Sequence, residues 1–197
     1  MLRKKSKEIM ALILAVMLVI ATIPLSFANT AEAKSGLLLN ANFGGGDSID
    51  TGSPVKDNAV AKSCGGVNAA TLDQLGKGTL TYHFTDLKAV GKASVLLSGR
   101  AIMGATVDVK VKAAEADEWT LVATLGTEEG GWGVNDTVLY DLSKTVEGAT
   151  DFYFQLVFND GQCGDWASVN RVRVATIAKE DLKTSGTVMN SDFSSDG

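Results

Sequence analysis

The sequence predicts an all-β fold, a two-layer sandwich, and three observations carry that reading. Two stretches alternate strictly, "TLTYHF" at 79–84 and "TVDVKVKA" at 106–113. Apolar segments of strand length recur at even spacing, divided by turns rich in Gly, Asp, Asn and Ser. No long helical period occurs after the first 33 residues, and the whole chain has only two prolines.

Residues 1–33 read as an export leader. A basic start, "MLRKKSKE", precedes the apolar run "IMALILAVMLVIATI", and Pro24 stands before a small-residue region. Cleavage is expected after Ala28 or Ala33, both of which end small-x-small patterns. An uncleaved anchor is the alternative, but the run falls short of the roughly 20 residues a spanning helix needs. The expectation is therefore a secreted or cell-surface protein, free of the membrane once the leader is removed.

The remaining 164 residues suffice for one domain with a substantial core. They carry 14 Lys and Arg against 21 Asp and Glu, a net charge of −7. Nucleic acids and anionic membrane surfaces call for clustered positive charge, so both are excluded as expected partners. In an exported protein the two cysteines, Cys64 and Cys163, pair by default into a disulfide. Closing a loop of about 100 residues would stabilise the fold by roughly 4–5 kcal/mol. Two buried free thiols are the other reading.

The elements follow in order. "LLLNANF" (37–43) opens the module, and "GGGDSIDTGSP" (44–54) is a flexible loop. "VNAATLD" (67–73) is a weak strand. In 79–84, Leu80, Tyr82 and Phe84 share one face, with Thr79, Thr81 and His83 on the other. "KASVLLSGRAIM" (92–103) is apolar on both faces, as a central strand is. In 106–113, Val107, Val109 and Val111 alternate with Asp108, Lys110 and Lys112, which predicts one wet face. "EWTLVATL" (118–125), "TVLYDL" (137–142), "DFYFQLVF" (151–158) and "ASVNRVRV" (167–174) complete the set. One helical turn is expected near "DLSKTV" (141–146).

The module thus spans 36–178, with a polar linker at 179–184. Residues 185–197, "SGTVMNSDFSSDG", repeat the opening "SGLLLNANFGGGD" at Ser35/Ser185, Gly36/Gly186, Asn40/Asn190 and Phe43/Phe193. They read as the start of a second module, which makes this one a monomeric unit of a modular protein. Chance similarity in a polar tail is the alternative.

From residue 79 onward the order of features resembles the galactose-binding-like jelly-roll modules of bacterial carbohydrate-binding proteins. The resemblance rests on "YHFTDL", "ASVLLSGRAIM", "VDVKVKAAEADEWTLVATL", "YDLSKTVEGATDFYFQLVF" and "CGDWASVNRVRV", about 100 residues in all. It implies a jelly-roll sandwich, a glycan or cell-wall polysaccharide as partner, and no required cofactor. A structural calcium is also typical of such modules; Asp47, Asp50, Asp160 and Asp165 are the candidate ligands, although no EF-hand pattern occurs.

Catalysis fails on inventory, so a non-enzyme is expected. The one histidine, His83, has no nucleophile elbow to serve and reads as structural. "GGG" at 44–46 lacks the Lys and the helix of a phosphate loop. Glu128 and Glu129 are adjacent and cannot face each other across a cleft. Sugar binding needs a flat aromatic face and convergent polar groups. "TEEGGWGVND" (127–136) combines Trp132 with Asn135 and Asp136, the first candidate contacts, and Arg100 in mid-strand is the second. The competing reading folds Trp132 back to cap the sandwich. Trp119 and Trp166 read as core or core edge. A structural or adhesion module without a glycan site, and an accessory domain of a glycoside hydrolase, are the alternative functions.

Overall fold

The computed structural model describes residues 33–64, 66–126, 136–160 and 167–184, and of Asp136, Lys183 and Thr184 the backbone alone. Within these residues the chain forms eleven strands in two antiparallel sheets. They are β1 (Gly36–Asn42), β2 (Val55–Asp57), β3 (Ala59–Cys64), β4 (Val67–Leu72), β5 (Lys77–Phe84) and β6 (Val90–Ala101). After these come β7 (Thr106–Lys112), β8 (Thr120–Leu125), β9 (Asp136–Asp141), β10 (Phe152–Asn159) and β11 (Ala167–Ala178). One sheet runs β3-β4-β11-β6-β9, with β1 also paired to β11; the other runs β2-β5-β10-β7-β8.

The period-2 pattern decides which side chains meet between the layers. Leu80 and Tyr82 of β5, Val107, Val109 and Val111 of β7, and Phe152, Phe154, Leu156 and Phe158 of β10 are all buried. From the other sheet come Leu39 and Ala41 of β1, Val95 and Leu97 of β6, and Val172 and Val174 of β11. Phe43, just beyond β1, starts a short 3-10 turn (Phe43–Gly45) and is fully buried in the same cluster. Two stacked layers filled by alternate residues make a β-sandwich. The alternations at 79–84 and 106–113 behave as expected except at two positions, since Phe84 is only half-buried and Lys112, expected on the wet face, is buried; β6 is a central strand between β11 and β9.

The structure also departs from the sequence expectations. β2 and β3 are added: β2 is three exposed residues, and β3 is half-buried along most of its length, so neither displays a clean apolar face. β11 runs on to Ala178 because Val174, Thr176 and Ala178 keep pairing with Val95, Ala93 and Val90 of β6. Residues 179–184, expected as a linker, form helix α2 (Lys179–Thr184); the first helix, α1 (Ser143–Val146), falls where one turn was anticipated. Glu180 and Asp181 in the first turn of α2 complement its N-terminal dipole. Gly91 lets the helix sit close on β6, since a Cβ there would lie 2.5 Å from Leu182 Cδ1 and 2.7 Å from Lys179 Cα.

Candidate functional site on the outer sheet face

Side chains that alternate with the core residues of the five-stranded sheet cover its outer face. Register places them in rows across the strands. Tyr153 of β10 lies opposite His83 of β5 on one side and Lys112 of β7 on the other. The next row joins Thr81, Gln155, Lys110 and Leu121. The third joins Thr79, Val157, Asp108 and Thr124.

The first row is a pile of flat groups. The His83 and Tyr153 rings stack with centroids 3.9 Å apart and an interplanar angle of 11°. Lys112 Nζ sits 4.9 Å from the Tyr153 centroid and 5.1 Å from that of Trp119, inside cation–π range of both. Its ammonium also donates to the Glu115 carbonyl, and the residue is only 9% exposed. Trp119, just before β8, is half-buried and absent from the core cluster. The sequence reading of Trp119 as core is thereby refined: it is an indole held on the sheet surface by a buried cation. His83 lies on the face away from the core, as expected, and its Nε2 is 3.4 Å from Asp151 Oδ2.

Polar groups adjoin the pile. Gln155 Nε2 donates to Thr81 Oγ1 at 2.8 Å, which fixes the amide beside Tyr153. Lys110 has no ion-pair or hydrogen-bond partner among the described residues. Partial burial, together with the Glu115 and Asp151 carboxylates, holds the Tyr153 hydroxyl above the usual phenol range. Past His83 an open groove of about 530 Å³ continues along Lys34, Leu38, Phe84, Leu87 and Lys88. Flat faces and neighbouring hydrogen-bonding groups can together hold a ligand that is apolar on one side and hydroxylated at its rim.

The residues expected from sequence fall elsewhere. Trp132, Asn135, Trp166, Cys163 and Asp165 lie outside the described residues, and only the backbone of Asp136 is described. That backbone pairs with Gly99, next to Arg100, while Arg100 pairs with Ser168 at the start of β11. Arg100 and Asp136 therefore share one end of the six-stranded sheet. In β6 the inward positions are Val95, Leu97 and Ala101, so Arg100 points away from the core, on the opposite layer from the pile of rings.

Cys64 is buried at the end of β3; its expected bridge to Cys163 lies outside the described residues. Asp47 Oδ2 accepts the Asn42 N–H at 2.7 Å. Asp50 is engaged by the Lys56 ammonium and by Ser48, which hold its carboxyl below the usual range. An ammonium on that carboxylate does not fit a calcium ligand. Among the described residues no three His, Cys, Asp or Glu gather to hold an ion.

No protein-family model matches the chain, and no curated protein matches it. Among solved structures it is similar to a carbohydrate-binding module, TmCBM61, in complex with β-1,4-galactotriose. The TM-score is 0.46 at 14% identity, covering 70% of this chain and 99% of that one. The CBM22-1 xylan-binding domain from Paenibacillus barcinonensis Xyn10C gives 0.47 at 12% identity, covering 74% and 98%. The module CBM6cm-2 from Cellvibrio mixtus lichenase 5A, in complex with cellotriose, gives 0.41 at 15%, covering 72% and 98%. All three scores fall below 0.5, so the ligand of this chain has to be argued from its own residues. No helix among the described residues is long and apolar enough to cross a membrane.

Proposed function

We propose that this chain is a non-catalytic carbohydrate-binding module of a secreted or cell-surface protein, and that the outer face of its five-stranded sheet receives the glycan. The observation that supports this most is Trp119 held half-buried by Lys112, with Tyr153, His83 and the Gln155–Thr81 pair alongside. An indole fixed on a sheet surface offers the C–H face of a pyranose a rigid partner at little entropic cost. The amide, ammonium and phenol hydroxyl groups beside it are suited to the sugar's hydroxyls. Trp132, Asn135, Asp136 and Arg100 are proposed as a second set of contacts, of which Arg100 and the Asp136 backbone lie at one end of the other sheet.

One observation favours a second reading, a structural or adhesion module without a glycan site. Tyr153 has His83 on one ring face and Lys112 on the other, so that ring is already satisfied within the protein. The two readings part on Trp119. A glycan array probed with the leaderless chain, and then with its Trp119→Ala variant, tests the proposal. Loss of a central aromatic contact typically weakens binding by 1–2 kcal/mol or more, about tenfold. Binding to no sugar would leave only the structural reading.

A further inference from the structure

We infer that the outer face of the six-stranded sheet is a binding site for the acidic groups of a polysaccharide, held by Arg171 and Arg173 with Arg100 in line beside them. Past residue 33 the chain has three arginines, and these are all of them; elsewhere its positive charge is carried by lysine. Arg171 and Arg173 alternate along β11 with the buried Val172 and Val174, so both point away from the core. Register sets Ser98 of β6 opposite Arg171 and Leu96 opposite Arg173. Arg100 follows Ser98 by two residues, one step along the same face. Such a step is about 7 Å, so the three positions form a line across two neighbouring strands.

No opposite charge is built in to balance them. β1, β4, β6 and β11 contain no acidic residue, although the chain as a whole has 23 acidic residues against 18 Lys and Arg. Two acids border the face, and each is engaged by backbone. Asp47 Oδ2 accepts the Asn42 N–H at 2.7 Å, and Asp141 Oδ1 accepts the Ser143 N–H at 2.8 Å. Arg171 makes no hydrogen bond or ion pair with a described residue. Arg173 donates its Nε–H to Asn40 Oδ1 at 2.8 Å, which fixes the fork and leaves its four Nη donors for a ligand. Neighbouring like charges repel, so a face kept for stability alone would not gather them.

The ligand class follows from the side chains. A guanidinium meets a carboxylate or sulfate through two parallel N–H···O bonds, where an ammonium acts as a point charge. Neutral hydrogen-bonding groups flank the arginines. Asn40 and Asn42 of β1 lie opposite Arg173 and Arg171, and Ser98 and Thr137 continue the Arg171 row on the other side. Leu96 and the exposed Leu139 extend the Arg173 row with apolar surface. Sites for acid groups, hydroxyls and C–H faces together fit an acidic sugar chain. That the partner is a polysaccharide rests on the glycan reading above; that it is acidic rests on the arginines alone.

The test measures binding of the full chain to polygalacturonate, to a sulfated galactan and to neutral galactan, beside an Arg171→Gln/Arg173→Gln double variant and Trp119→Ala. The expected result is binding to at least one acidic polymer, weakened about tenfold or more in the double variant. That binding should also fall steeply between low salt and about 0.5 M. The salt series needs only the unaltered chain, so it decides even where the double variant does not fold. Which acidic polymer binds tells carboxylate from sulfate recognition. Four results each overturn the inference: no acidic polymer bound, equal binding by the double variant, binding indifferent to salt, or polyadenylate bound as tightly. Trp119→Ala keeps the two readings apart. Acidic binding that depends on the arginines but not on Trp119, with neutral galactan unbound, would sink the five-stranded-sheet site and uphold this one.

Discussion

Lys112→Met isolates the cation that organises the outer face. Methionine keeps an unbranched stem of similar length and removes only the charge and its donors. Nζ lies 4.9 and 5.1 Å from two ring centroids, and each such contact contributes about 0.5–1 kcal/mol, more when desolvated. The hydrogen bond to the Glu115 carbonyl adds about 1 kcal/mol net. Against these stands the cost of keeping an ammonium at 9% exposure, which the variant no longer bears. The balance is a loss of about 1–2 kcal/mol, which for a domain near 150 residues lowers Tm by roughly 2–8 °C. Thermal unfolding followed by tryptophan fluorescence and near-ultraviolet circular dichroism reads both the stability and the freedom of Trp119. Lys112→Arg should recover most of the loss, because a guanidinium also stacks on aromatic faces. A Lys112→Met protein as stable as the natural chain, with an unchanged tryptophan signal, would refute the idea that the ammonium holds the indole.

Three further outcomes are expected. Phe43→Ala empties a fully buried site between the layers and should cost about 3–5 kcal/mol in urea unfolding. Asp141→Ala removes the carboxylate that accepts the Ser143 N–H at 2.8 Å, at a cost of about 1 kcal/mol near neutral pH. The Ser143 hydroxyl and N–H hold that carboxyl below its ordinary 3.8, so the stability it adds is present above pH 3.8 and is lost as pH falls through the lower folded value. The gap between variant and natural chain should therefore close in acid, as unfolding midpoints across pH will show. Gly91→Val drives a side chain into Leu182 and the Lys179 backbone; amide hydrogen exchange should speed up in 179–184 while β10 stays protected.

The layers were legible in the sequence wherever one face of a strand is core and the other is wet. "TLTYHF" and "TVDVKVKA" are such strands, and their inward residues are buried apart from the half-buried Phe84. β2 and β3 escaped because exposed or half-buried edge strands carry no apolar alternation. Helix α2 had a local signal, acids in its first turn within "KEDLKT", but at six residues it is too short for periodicity to reveal. The site was harder to read for a physical reason. His83, Lys112 and Tyr153 each look ordinary within their own strand, and only the pairing of β10 with both β5 and β7 makes them neighbours. Trp119 beside an apolar strand reads as core until the buried ammonium under it is known. An indole set between glycines and next to polar residues, as Trp132 is in "TEEGGWGVND", is by contrast conspicuous in the sequence without any fold at all.

The most direct measurement is the affinity of the leaderless chain for the best-bound member of a glycan panel, compared with Trp119→Ala and Trp132→Ala proteins of verified fold. The account predicts a loss of about tenfold or more on removing the Trp119 indole. Unchanged binding by Trp119→Ala, with binding abolished by Trp132→Ala alone, would contradict it.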